Sequence, residues 1–526
     1  MATLIEVKKF NVDETPDHLA PSVWAVNAIA RERDDVLRRL ERPPGPLPGD
    51  VASNALRGWV ASAASELERS VQNLDLTALA SLAARYDVLT SVQRALLHGV
   101  AMWPAGSNPP GLVAGDGVAL RFLIEVAVAH FDGGRTRLTD EQFHRAWALA
   151  SEIVLCGALG DAVRAGFGPV NLTSRAGRLG LESSERLSAA MSQQRDATFR
   201  EWDPDGPIDT PPDELMRALE AAYRSDYGFG IRDVALVLDL VSRTARDKGR
   251  AVSLRRHDVV AALEAEGMSA TAADGAIDFL SLTPQGEYDP APERFPWRFQ
   301  REHSYLSRPL LSIKVDGSEW LLCSPEAVTT ATNGLAERIF HGRLPSKAGS
   351  SSKAAVEKLI DWNGRSFERA VASVFAGDER FVVLTRVEKP LGRVIEWAPG
   401  RKLGDMDVIV IQPATGVITL IEAKGAVAGL VPGKVGREVE EWQKIWDAQC
   451  RRLRWLHENR QAFAQRHTGV VDRARSWRVL GRIVVRDPVA SAELFGVPGG
   501  VSTLTELRSA DKAAWLDDGV EAGALA

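Results

Sequence analysis

Gly404-Asp405-Met406-Asp407-Val408-Ile409-Val410-Ile411-Gln412 and Val417-Ile418-Thr419-Leu420-Ile421-Glu422-Ala423-Lys424 decide the fold of the C-terminal part of this chain. The turn Pro413-Ala414-Thr415-Gly416 joins them, and the two segments read as adjacent strands of a hairpin. Without a bulge, Gln412 pairs with Val417, which puts Asp407 opposite Glu422 and Asp405 opposite Lys424. Side chains alternate along a strand, so all four belong to one face. Carboxylates directly opposite one another stand about 4.5–5.5 Å apart at Cβ, where like charges destabilise the pair. The remaining residues are apolar on both faces, the pattern of central, buried strands in which uncompensated charge is costly. A divalent cation removes that conflict, because magnesium prefers hard oxygen ligands.

Outward from this hairpin the texture stays α/β. A helix is predicted over 362–375 and a strand over 381–387. A long helix follows over 436–466, then a strand over 477–485 and a short one near Val501. The long helix carries Trp442, Ile445, Trp446, Leu453 and Leu456 as an apolar stripe, with Gln449 inside it. A polar residue on a packing face needs a partner. Lys434, Arg437, Lys444, Arg451 and Arg452 make the same region basic, and Arg473, Arg475, Arg478, Arg482 and Arg486 continue the run. Clustered cations beside paired carboxylates are the electrostatic footprint of nucleic-acid binding.

On these residues the segment resembles the PD-(D/E)xK nuclease superfamily, the restriction-endonuclease-like fold. The resemblance rests on Gly404-Asp405-Met406-Asp407, on Glu422-Ala423-Lys424, and on Gly364-Arg365-Ser366-Phe367-Glu368, which looks like the family's first helix with its acidic residue. It covers roughly 356–509, a third of the chain. Gly404 and Met406 stand where the family's proline would be expected. The resemblance implies an α/β restriction-endonuclease-like C-terminal domain, a mixed central sheet flanked by helices, which follows an α-helical N-terminal region read from periodicity. It also implies hydrolysis of phosphodiester bonds. Asp407 and Glu422 would hold Mg2+, with Mn2+ as a substitute, Glu368 would complete the metal site, and Asp405 would share it. Lys424 would activate water or steady the charge on phosphorus. In several branches of the superfamily a glutamine or arginine of the long helix points at the active site, and Gln449, with Arg452 beside it, is the candidate here.

The first three hundred residues read differently. Apolar residues at three- and four-residue spacing predict helices at 23–40, 56–74, 76–100, 118–131 and 141–159, then at 182–201, 212–227, 231–247, 257–266 and 270–282. Helix-start signals precede several of them, at Thr139-Asp140-Glu141 and Ser183-Ser184-Glu185. Residues 203–213 read as an exposed loop, and no repeat of fixed length appears. Asp316-Gly317 marks a hairpin between strands 310–315 and 319–323, followed by a helix over 325–340. The expected domains are 1–283, helical and suited to sensing or regulation; 284–345, a small hairpin-containing segment; 346–355, a linker; and 356–526, the nuclease-like domain.

Composition limits the alternatives. With 526 residues, 45% apolar and 25% charged, the chain has the make-up of a soluble globular protein of two or three domains. Its three cysteines form no CxxC pair and its nine histidines no HExxH, which argues against structural zinc and a disulfide framework. No stretch is apolar enough for a membrane span and no signal peptide is evident, so a cytoplasmic protein without a membrane partner is expected. The net charge of −6 is unlike a nucleic-acid binder, but an average conceals the basic C-terminal helix. Phe131-Asp132-Gly133-Gly134-Arg135 lacks the later acids of a calcium loop, and Pro432-Gly433-Lys434 lacks the glycine spacing of a phosphate loop.

The bland reading of Asp407, Glu422 and Lys424 is a surface hairpin with an incidental cross-strand ion pair, against which the apolar strands speak. Glu368 reads equally as a solvated helix residue, and Gln449 reads more readily as a structural hydrogen bonder than as a catalytic group. The leading expectation is a DNA endonuclease of restriction or anti-phage defence, DNA being favoured over RNA. It would act as a homodimer or with a regulatory partner at the helical domain. The alternatives are an RNA-cleaving enzyme and a non-catalytic binding protein on a decayed nuclease fold.

Overall fold

The computed structural model describes residues 20–39, 46–47, 49–97, 114–164, 170–175, 178–181, 210–248, 251–285, 304–340, 342–425, 432–471, 476–486 and 488–525. The helix expected at 182–201 and most of the loop expected at 203–213 lie outside them. Two compact units emerge, one from Met1–Glu182 and Pro212–Lys358, the other from Ser183–Pro211 and Leu359–Ala526.

The first unit is predominantly helical. Helices Val23–Arg39, Gly49–Ser70, Leu76–Leu97, Ala114–Ala129 and Asp140–Arg164 follow the predicted periodicities within a few residues. Their apolar faces meet in one core that includes Ile29, Leu56, Trp59, Leu79 and Trp147. Asp140–Arg164 starts on a reciprocal cap: Thr139 Oγ1 accepts from Gln142 N at 3.2 Å, and Gln142 Oε1 accepts from Thr139 N at 3.0 Å. Among the described residues it is the one helix long and apolar enough to cross a membrane, yet 83% of its most apolar window is buried within the protein. That burial is how the central helix of a packed bundle behaves.

Strands β1 (Pro46–Leu47), β2 (Val170–Arg175) and β3 (Arg178–Leu181) form a small antiparallel sheet that periodicity did not anticipate. The hairpin expected as a separate segment is β6 (Leu310–Val315) and β7 (Ser318–Cys323), turning at Asp316-Gly317, both with positive φ. It pairs with β4 (Val252–Arg255) and β5 (Ser281–Leu282) in the order β4-β7-β6-β5, so it belongs to the first unit's own sheet. The segment expected as a linker at 346–355 enters a helix at Ser351, which runs to Ser373.

The second unit is a mixed α/β structure. Its main sheet runs β14-β13-β12-β11-β8, from β8 (Val382–Thr385), β11 (Val408–Gln412), β12 (Val417–Lys424), β13 (Arg478–Val485) and β14 (Ser502–Thr503); β15 (Val520–Glu521) also pairs with β13. β8, β11 and β12 are antiparallel neighbours, and β12 is parallel to β13 across the connection that contains helix Pro432–Glu458. Both faces are covered. Val408, Val410 and Ile421 pack with Phe367 and Val371 of the Ser351–Ser373 helix and with Phe375 just beyond its end. Ile409, Ile411, Ile418 and Leu420 pack with Leu453, Leu456 and Phe463. Apart from Gln412, Thr419, Glu422 and Lys424 these strands are apolar, because both of their faces are interior.

Two expected elements are broken by single residues. The strand expected over 381–387 stops at Thr385 because Arg386 takes φ +48°, a left-handed conformation incompatible with a strand. The helix expected over 436–466 is two, Pro432–Glu458 and Arg460–Thr468. At the break Asn459 leaves helical geometry at φ −104°, ψ 9°, and its side-chain amide joins its backbone N–H in donating to Trp455 O, at 2.8 Å.

Candidate active site

The hairpin register is the one the sequence predicts. Gln412 faces Val417 and the pairing runs without a bulge to Val408 opposite Ile421. It ends there, one step before the expected Asp407–Glu422 pair. The Asp407 carbonyl instead accepts from Arg386 N at 2.8 Å, and Met406 and Val387 exchange backbone hydrogen bonds. The Asp407 carboxylate accepts from Ala423 N at 2.9 Å. Asp407 therefore reaches β12 through its side chain rather than its backbone.

Four charged groups meet at the end of β12. Lys424 Nζ lies 2.8 Å from Glu422 Oε1 and 3.7 Å from Asp407 Oδ2. Arg452 donates from its guanidinium to Glu422 Oε2 at 2.7 Å. Asp407 is 6% exposed and Glu422 2%, so the surface hairpin with an incidental ion pair is not what the chain builds. Burial, and then the Glu422 charge, push the Asp407 carboxyl up to about 7, against the pull of Lys424 and the Ala423 N–H. Burial works to lower the Lys424 ammonium, but Glu422 and Asp407 outweigh it and hold the group above its ordinary value.

The other expected acids lie at the margin. Asp405 Oδ2 is 3.5 Å from Arg386 Nε, whose guanidinium also meets Asp361 at 3.3 Å. Glu368 comes within electrostatic reach of Asp405, Asp407 and Lys424, and its carboxyl is raised, by burial first. Among the described residues no three His, Cys, Asp or Glu side chains gather closely enough to hold a metal ion. The expected set Asp407, Glu422, Glu368 and Asp405 is thus a close pair, Asp407 and Glu422, with two outlying carboxylates.

Of the two candidates on the long helix, Arg452 reaches the carboxylates. Gln449 is fully buried, and its amide donates to Leu420 O at 3.2 Å and Arg482 O at 3.4 Å. It fastens the helix to β12 and β13 and spends its donors on backbone. Arg452, three residues on and so on the same helix face, is the one that reaches Glu422. Only 12% of its side chain is exposed. Gly404 takes φ +84°, and a Cβ there would stand 3.0 Å from the Arg452 guanidinium, which is why glycine occupies this position.

The remaining cations sort by place. Lys444 is exposed and Arg451 half-buried, while the side chains of Lys434 and Arg437 lie outside the described residues, as do Arg473 and Arg475. Arg482 is buried and donates to Gly499 O and Asp518 O, and Arg486 donates to Asn363 Oδ1 at 2.9 Å. Arg482 is thus an internal strut, while Arg486 is half-buried. Reasoning from sequence overlooked Arg386, whose role depends on a backbone conformation that no spacing signals.

A buried pair of carboxylates joined by a lysine and an arginine, at the end of a central strand in a mixed α/β unit, defines the class of site. The profile of the anti-phage protein Upx-like family matches residues 108–444, more than half of the chain, and the chain belongs to that family. The matched span includes Glu368, Asp407, Glu422 and Lys424 and ends before Gln449 and Arg452. No curated protein and no solved structure matches the chain. Membership gives the protein a general role in defence against phage.

Proposed function

We propose that the second unit is a magnesium-dependent nuclease of the PD-(D/E)xK type, cutting DNA in the course of anti-phage defence. The observation that carries this reading is the pair of buried carboxylates, Asp407 and Glu422, drawn to one ammonium at the end of β12. Their chemistry fits a divalent cation. Both offer hard oxygens, and the Lys424 ammonium between them already marks the place where positive charge is favoured. Asp407 and Glu422 would hold the ion, with Glu368 and Asp405 as outer oxygen donors. When bound, magnesium would polarise the scissile phosphate and acidify a water molecule.

The protein's own groups do the rest. The Ala423 N–H fixes the Asp407 carboxylate. Arg452 orients Glu422 from the opposite oxygen to the one Lys424 holds. Lys424, kept charged by its neighbours, stands ready to stabilise negative charge growing on the phosphate oxygens. A second reading, a nucleic-acid-binding protein without catalysis, draws on Lys424 and Arg452 balancing the two carboxylates and on the absence of a third acid close by among the described residues.

Phage plaque assays on cells expressing the full chain separate the two. Asp407→Ala and Lys424→Ala, at wild-type protein levels, are expected to abolish protection if cleavage is the activity. Protection retained by both variants would favour the non-catalytic reading.

A further inference from the structure

β9 (Glu396–Ala398) and β10 (Arg401–Lys402) form a two-stranded ribbon apart from the main sheet. It turns at Pro399-Gly400, with Gly400 at φ +69°. Glu396 closes the turn by accepting from Gly400 N at 3.2 Å, so the ribbon's acid is used within it. Trp397 at its centre is 44% exposed and nearby Val394 47%. An exposed aromatic by itself is ordinary; what sets Trp397 apart is the company its ring keeps.

Cations surround that ring. The Arg451 guanidinium lies 4.8 Å from its centroid and the Arg401 guanidinium 5.4 Å, with Lys402 exposed next along the strand. Arg451 and Arg452 are consecutive on one helix, about 100° apart around its axis. Arg452 points to Glu422, and Arg451 to Trp397. The chain that leaves β10 reaches Gly404, against the Arg452 guanidinium, and then Asp407. An exposed stack of aromatic and guanidinium planes therefore adjoins the carboxylate pair through one helix and one strand.

Bases stack on aromatic rings and on guanidinium planes, and they offer both faces only when they are not paired in a duplex. Resting on the nuclease reading for its position beside the site, we propose that Trp397, flanked by Arg401 and Arg451, is a stacking platform for single-stranded nucleic acid. The guanidinium groups and Lys402 meet the phosphates while an unpaired base stacks at the ring. The substrate class this sets for the adjoining site is a single strand, or a strand locally opened.

The test is fluorescence anisotropy of the full-length protein with labelled oligothymidylate, oligouridylate and a duplex of equal length. EDTA is present throughout, so that binding is read without cleavage. Trp397→Ala is expected to weaken single-strand binding about tenfold, the loss of one stacked base, with Trp397→Phe restoring most of it and duplex binding little changed. The thymidylate and uridylate arms identify the strand as DNA or RNA. Unchanged single-strand affinity in Trp397→Ala, equal losses on single strand and duplex, or no single-strand binding by the wild type would each overturn the proposal. If the binding pattern holds but the wild type cuts nothing in magnesium, the nuclease reading alone falls.

Discussion

Asp407 concentrates the tension of the site in one residue. Its folded-state carboxyl is raised to about 7 from an ordinary 3.8 by burial and by Glu422. A raised carboxyl binds its proton more tightly in the folded state, so its contribution to stability is complete below about pH 4 and is lost as pH rises toward 7. Without metal, the wild type is therefore expected to lose thermal stability between pH 4 and 7 through this residue. Asp407→Asn, which can still accept from Ala423 N, is expected to lose less and to melt higher than the wild type at pH 8 in EDTA. Thermal melts across that range check it; parallel curves for the two proteins would show that Asp407 is not a strained, functional carboxylate. Magnesium is expected to raise the melting temperature of the wild type at pH 8 and leave that of the variant unchanged.

Helix Pro432–Glu458 shows how one element divides structural from chemical work. Gln449 and Arg452 are three residues apart and face the same sheet, but one ends on backbone carbonyls and the other on Glu422. Gln449→Met is expected to cost about 1–2 kcal/mol of stability, the worth of its hydrogen bonds, with cleavage per folded molecule unchanged. Arg452→Gln is expected to lower kcat about 10- to 100-fold, as loss of a group orienting a metal ligand does. Melts and single-turnover cleavage on the two variants distinguish these effects, and equal kcat losses would contradict the division. Periodicity located Gln449 on the packing face because burial repeats with the helix turn, and pointed to Arg452 only as the residue beside it. It could not assign their partners, which depend on where β12 and β13 present a carbonyl or a carboxylate. The β11–β12 register was legible because a tight hairpin fixes it. The opening at Asp407 was not, because the Asp407 carbonyl is taken up by the left-handed Arg386 just beyond the end of β8.

At the scale of the molecule, the helical first unit and the mixed second unit were readable from the change of periodicity, and the details that escaped were short or long-range. The small sheet of β1, β2 and β3 joins residues more than a hundred positions apart, which local pattern cannot reveal. The β6–β7 hairpin looked independent because its sheet partners, Val252–Arg255 and Ser281–Leu282, precede it as segments too brief to read as strands. The ribbon that exposes Trp397 is similarly brief. Charge was misleading in both directions: the overall −6 hid a basic helix, and several of the arginines counted toward a nucleic-acid surface proved to be internal, Arg452 and Arg482 among them.

The central claim is that Asp407, Glu422 and Lys424 cut nucleic acid, and its most direct test is cleavage of plasmid and single-stranded DNA by purified full-length protein with magnesium, manganese or EDTA. Cutting by the wild type in either metal, absent in EDTA and reduced by at least about a hundredfold in Asp407→Ala and Lys424→Ala, is the expected result. Cutting that survives both substitutions would contradict the assignment of the site, and no cutting by a wild-type protein that still binds nucleic acid would leave the non-catalytic reading in its place.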